Sequence, residues 1–148
     1  MNEEVKYISY EEAISVYAKM IDASDGGFDG VRDEGGIRAA LEFVQNDMYY
    51  PNFSDKLCSL VYKFCSGHYF NDGNKRIALT LGTYFLHKNS YFWQATIFMR
   101  QMESIVYHVA ASNIDKDLLL RIMTCFMNGE DYDEELKIDI ANAMSKGE

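Results

Sequence analysis

The chain has 148 residues, 48% of them hydrophobic, enough for one domain with a sizeable core that needs neither disulfides nor structural metals. Its longest apolar runs are broken by Lys, His, Asn or Gly well short of the roughly 20 residues of a membrane span, so a membrane location is not expected. A formal net charge of -9 works against DNA binding, which relies on Lys and Arg to neutralise phosphates.

Met1 to Lys6 is acidic and leads directly into a helical pattern, unlike the basic start and apolar stretch of a secretory signal. Ser9 followed by Glu12 forms a capping box, and Ala13, Tyr17, Met20 and Ile21 share one face of a first helix over Tyr10–Ala23. The stretch Ser24-Asp25-Gly26-Gly27-Phe28-Asp29-Gly30 is dense in turn formers. A second helix opens near Asp33 and buries Ile37, Ala40, Leu41 and Val44.

Asp47 to Phe53 surrounds the single proline with aromatic residues and is expected to be an extended or hairpin-like connector. Ser54 is placed as the cap of a third helix that buries Leu57, Leu60, Val61 and Phe64 and ends at Gly67. A fourth helix is expected over Ile77–Lys88, closed by Asn89, with later helices near Phe98–Ala111, Asp115–Asn128 and Glu134–Met144. The fold class is therefore all-α. The acidic run Glu130 to Glu135 is read as a solvated linker, dividing a domain over residues 1–130 from an acidic extension over 131–148 that forms an exposed helix.

The three cysteines, Cys58, Cys65 and Cys125, are an odd number without a C-x-x-C pair, which argues against a disulfide framework or a zinc site. Cys58 and Cys65 lie on one helix face, where core packing accounts for them. A reducing, cytoplasmic compartment fits this usage.

Chemistry concentrates in the nine residues His68-Tyr69-Phe70-Asn71-Asp72-Gly73-Asn74-Lys75-Arg76, which combine an imidazole, a carboxylate, two amides, two cations and a glycine between two apolar helices. Gly73 can take a positive φ, turning successive N–H groups toward an anion at a helix N-terminus, whose positive end attracts phosphate. Lys75 and Arg76 oppose the helix dipole there, a penalty that a bound polyanion reverses. Asp72 offers Mg²⁺ a hard oxygen ligand beside that phosphate site, and Asn74 can bond phosphate oxygens. His68 is suited to accept a proton from an incoming hydroxyl near neutral pH, and Phe70 anchors the loop in the core.

The run H-Y-F-N-D-G-N-K-R resembles the Fic/Doc family motif H-x-F-x-D/E-G/A-N-G/K-R, and its lysine is similar to that of the Doc, death-on-curing, branch. The resemblance extends over roughly Tyr7 to Asn128, including Gly30-Val31-Arg32-Asp33. It implies a Fic-type helical bundle with a short β-hairpin flap beside the motif, and the Met48–Phe53 connector, with Met48, Tyr49, Tyr50 and Asn52, is assigned to that flap. Residue by residue, the resemblance implies a general base at His68, a Mg²⁺ ligand at Asp72, nucleotide contacts from Gly73, Asn74, Lys75 and Arg76, catalytic roles for Lys75 and Arg76, and a structural anchor at Phe70.

Doc-like members are understood to bind ATP reversed relative to AMP-transferring Fic proteins, so the implied activity is phosphate transfer to a protein hydroxyl, with elongation factor Tu as the implied target and translation as the process blocked. Gly73 stands where Doc itself carries alanine and AMP-transferring relatives carry glycine, which keeps AMP transfer as an alternative. A non-catalytic interaction module is a further one. The S/T-x-x-x-E-G/N element that silences many Fic proteins in cis does not occur, so inhibition is expected from an antitoxin segment folding on this chain in trans, in an apolar groove near the motif.

Overall fold

The computed structural model describes residues 4–23 and 30–146. Most of the expected turn, from Ser24 to Asp29, and the first residues of the N-terminus lie outside the described residues. Among those described there are seven helices and no strand: α1 (Tyr10–Ala23), α2 (Glu34–Phe43), α3 (Phe53–Ser66), α4 (Asn74–Lys88), α5 (Phe92–Ala110), α6 (Lys116–Asn128) and α7 (Glu134–Ser145). No helix is long and apolar enough to cross a membrane.

The centre of the molecule is the pair α3 and α4, with α1 packed on α4, α2 and α6 on α3, and α5 on both. Eight residues of α3 are buried, and Ile77, Ala78, Leu81, Phe85 and Leu86 of α4 meet them. Each such apolar side chain contributes about 1.5–3 kcal/mol on burial. α5 comes close to α4 because Gly82 has no side chain: a Cβ there would stand 2.5 Å from the ring of Phe98. The thiols of Cys58 and Cys65 are buried, and burial pushes them up to about 12 and about 11, so both are inert at neutral pH.

Helix starts shift where the capping chemistry differs from the expected residue. α3 opens at Phe53, not beyond Ser54, with the Asn52 N–H donating to Asp55 Oδ2 at 2.9 Å. α4 opens at Asn74, three residues before Ile77, behind the left-handed Gly73. α5 opens at Phe92 after Tyr91, which makes no side-chain cap bond.

The Met48–Phe53 connector is not a hairpin. Asn46 Oδ1 accepts the N–H groups of Met48 and Tyr49 at 2.9 and 3.2 Å, and the Tyr50 N–H donates to Asn46 O at 2.9 Å. The segment is thus coiled into turns by an asparagine that competes for its backbone donors. Lys56, 2% exposed, braces the same turn by donating to Val44 O at 3.1 Å and pairing with Asp47 at 2.8 Å. Met48, Tyr49, Tyr50 and Asn52 precede α3, and the Tyr50 hydroxyl accepts from Lys63 Nζ in the last turn of that helix at 3.3 Å.

In the acidic C-terminal stretch, Asp133 caps α7 by accepting the Leu136 N–H at 2.8 Å. α7 lays Leu136, Ile140 and Ala143 into the core, and Arg121 of α6 pairs with Asp139 at 2.7 Å.

Candidate active site

The motif loop joins the ends of the two central helices, so its backbone is fixed from both sides. α3 ends with the Gly67 N–H donating to Lys63 O at 2.8 Å, and the chain then reverses through His68, whose φ of 53° lies in the left-handed region. That conformation usually falls to glycine, and a side chain there costs about 1 kcal/mol. Gly67 is needed for another reason: a Cβ on it would stand 2.4 Å from the Tyr69 ring. The strained backbone leaves His68 exposed at the mouth of the loop.

Phe70, fully buried, is the anchor its position suggested. It stacks on Tyr17 of α1 with ring centroids 4.0 Å apart and an interplanar angle of 18°. The Tyr17 hydroxyl donates to Asp72 O at 2.9 Å, so one side chain both covers the anchor and fixes the backbone of Asp72. Asn74 uses its amide on Phe70: Nδ2 donates to Phe70 O at 3.0 Å, and the Phe70 N–H donates to Oδ1 at 3.2 Å. Its side chain therefore holds the loop, and what Asn74 offers an anion is its backbone N–H.

Gly73 has φ 78° and ψ 22°, the left-handed turn anticipated for it, and opens α4. Its own N–H is taken by Asp72 Oδ1 at 2.8 Å. The first intrahelical bond is from the Ile77 N–H to Gly73 O at 2.8 Å, so the N–H groups of Asn74, Lys75 and Arg76 lie ahead of the helical ladder. Together with the dipole, these donors have the chemistry that suits an anion such as a phosphate. Asp72 and Arg76 are 49% and 42% exposed and 4.0 Å apart, a loose pair from which either can turn to a ligand. Lys75 is exposed at the same helix end.

Among the described residues no three His, Cys, Asp or Glu side chains gather to hold a metal. A single exposed carboxylate does suit Mg²⁺, which completes its shell with phosphate oxygens and water. Asp72 thus fits the ion in the presence of a nucleotide.

Beside the loop runs the segment Gly30–Arg32, joined to it by a single bridge. The Arg32 N–H donates to Tyr69 O at 2.8 Å and the Asn71 N–H to Gly30 O at 3.0 Å, bracketing an antiparallel bridge between Val31 and Phe70. In that register the N–H and C=O of Val31 point away from the loop. The segment bridged to the motif loop is thus Gly30–Arg32, paired with Tyr69–Asn71. Tyr17 was read only as core; a buried tyrosine hydroxyl, which needs a partner, was the available signal.

A groove of about 970 Å³ leads away from Arg76, lined by Val16 and Met20 of α1, Leu79 and Thr83 of α4, and Met99 of α5. It is predominantly apolar, and Met99 is 42% exposed in it.

Residues 7–86 match the Fic/DOC family. Over 96 residues the chain is 33% identical to the protein described as Toxin Doc from Mycolicibacterium smegmatis, an alignment covering 62% of this chain and 74% of that one. Over 88 residues it is 35% identical to the protein described as Protein kinase doc from Escherichia phage P1, covering 57% of this chain and 69% of the relative.

Proposed function

The chain belongs to the Fic/DOC family, and from that premise we propose that it is a Doc-like toxin that transfers the γ-phosphoryl group of ATP to a hydroxyl of a target protein. The observation that carries the reading is the left-handed Gly73 at the head of α4, which leaves the N–H groups of Asn74, Lys75 and Arg76 ahead of the helical ladder between exposed His68 and Asp72. The naming of one relative as a protein kinase supports the phosphoryl-transferring form.

In this mechanism the phosphates rest on the N-terminus of α4, with Arg76 and Lys75 balancing their charge. His68 takes the proton of the target hydroxyl as its oxygen bonds to phosphorus. The bond from that phosphorus to the bridging oxygen breaks, and ADP leaves with the electron pair. Asp72 would hold Mg²⁺, which supplies charge neutralisation on the phosphates when bound. Lys75 occupies the place of the glycine of AMP-transferring relatives and selects which phosphate faces His68.

The target segment lies extended along Val31, whose outward N–H and C=O accept a further strand. Elongation factor Tu is the target proposed from the resemblance, with arrest of translation in the cytoplasm as the outcome. The apolar groove that begins at Arg76 fits a helical antitoxin segment supplied in trans, which would cover the cation the nucleotide needs.

Incubation of the purified chain with elongation factor Tu and ATP labelled at either the α or the γ position tests the reading. Transfer of γ-label, dependent on His68, is expected. Transfer of α-label replaces it with AMP transfer, and no transfer of either label to any translation factor favours an interaction module.

A further inference from the structure

On the face of the molecule formed by the start of α5 and the end of α6, the chain has an open pocket of about 490 Å³. Its walls are Trp93, Ile97, Phe126 and Tyr132, and its rim carries Glu130 and Asp131. Trp93, the single tryptophan of the chain, is 71% exposed and so contributes little to the core. Phe126 makes the floor, fixed by an edge-on contact with Phe98 at 5.5 Å.

Among the described residues no Lys, Arg or His lines the pocket. Glu130 and Asp131 take part in no ion pair among the described residues, and the nearest cation on α6, Arg121, is committed to Asp139 at 2.7 Å. α6 ends here without a basic residue in its last turn, and Gly129, with φ 67°, turns the chain so that Glu130 and Asp131 border the opening. The carbonyl end of α6 and the N–H end of α5 both reach the pocket, so their dipoles oppose one another and the carboxylates set its sign.

An exposed indole face beside two unpaired carboxylates is complementary to a planar cation. We propose that this pocket binds the guanidinium of an arginine in a partner polypeptide, stacked on Trp93 and bonded by Glu130 and Asp131. Arginine fits better than lysine because its flat fork can stack and pair at once, whereas an ammonium is a compact and strongly hydrated charge. A polypeptide is favoured over a free metabolite because the pocket is open and its walls, Ile97, Phe126 and Tyr132, offer apolar surface to residues neighbouring the arginine. The site is independent of the motif loop and stands whether or not the chain transfers phosphate.

Since Trp93 is the only tryptophan, its fluorescence reports this pocket alone. Titration of the full chain with the peptide acetyl-Gly-Arg-Gly-amide should give a saturable change, and the citrulline peptide, equal in shape but neutral, should bind about tenfold more weakly or not at all. The double variant Glu130→Gln/Asp131→Asn, which alters two exposed side chains, should weaken the arginine peptide by a similar factor. Equal responses to arginine and citrulline peptides, or an unchanged affinity in the double variant, overturn the proposal. Free arginine binding more tightly than the peptide overturns its assignment to a polypeptide partner.

Discussion

The side-chain amide of Asn74 closes a ring on the backbone of Phe70, donating to its carbonyl at 3.0 Å and accepting from its N–H at 3.2 Å. The first residue of α4 thereby pins the one aromatic residue of the loop that is fully buried. Asn74→Ala removes both bonds and leaves the Phe70 groups partly buried without partners, which should cost about 1–3 kcal/mol. Thermal unfolding should show the loss, and transfer should fall with it; an unchanged melting temperature would mean that the clamp contributes nothing.

His68 should show a conflict between stability and activity. His68→Gly relieves a side chain at φ 53° and is expected to raise stability by about 0.5–1 kcal/mol, while removing the proposed base, a role that contributes about 10² to 10⁴ in rate. Denaturant unfolding paired with γ-phosphate transfer measures both. A variant less stable than the parent would show that the strain is compensated locally.

Gly73→Ala should be tolerated poorly. Its Cβ would lie 3.1 Å from Met20 Cε and 3.3 Å from Arg76 Nη2, at a backbone φ of 78°. A loss of about 1 kcal/mol in stability is expected from the backbone conformation alone. Adding Met20→Ala opens the space without changing φ, so nucleotide affinity, measured by calorimetry, should recover further than stability does.

A pH effect should arise away from the loop, where Glu12 of α1 accepts from Lys88 at 2.7 Å and from the Tyr84 hydroxyl. The Lys88 bond, and after it that of Tyr84, lowers the Glu12 carboxyl to about 2 from 4.5. A carboxyl held lower in the folded state stabilises the fold above its unfolded value, and the contribution disappears as pH falls from about 4.5 toward 2. Glu12→Gln keeps an acceptor for the Ser9 N–H but no charge, so its loss of stability across that window should be smaller than the parent's. Parallel unfolding curves at pH 6 and pH 3, taken here as roughly neutral and acid limits, would contradict it if the two proteins declined equally.

The elements that announced themselves in the sequence were those with caps and apolar stripes in agreement. Ser9, Glu12 and the Ala13–Tyr17–Ile21 face delimited α1 as found. The starts of α4 and α5 were hidden because Gly73 and Tyr91 supply no side-chain cap, and because Phe92 and Trp93 are exposed where an apolar stripe predicts burial. The hairpin reading of Met48–Phe53 failed through Asn46, whose capture of two N–H groups has no signature in hydrophobic pattern. In the motif, residue types conveyed the kind of chemistry, whereas the work Asn74 and Tyr17 do on Phe70 and Asp72 depends on distances between segments far apart in the chain.

The bridge between Val31 and Phe70 is one residue pair long, and that brevity has a kinetic meaning. A polypeptide added along Val31 finds one donor and one acceptor there, and at about 1 kcal/mol net for each bond the edge alone gives residence too short to retain a chain. Under the proposed function such an edge would orient a substrate during an encounter and let the modified one depart, so that one molecule could process many.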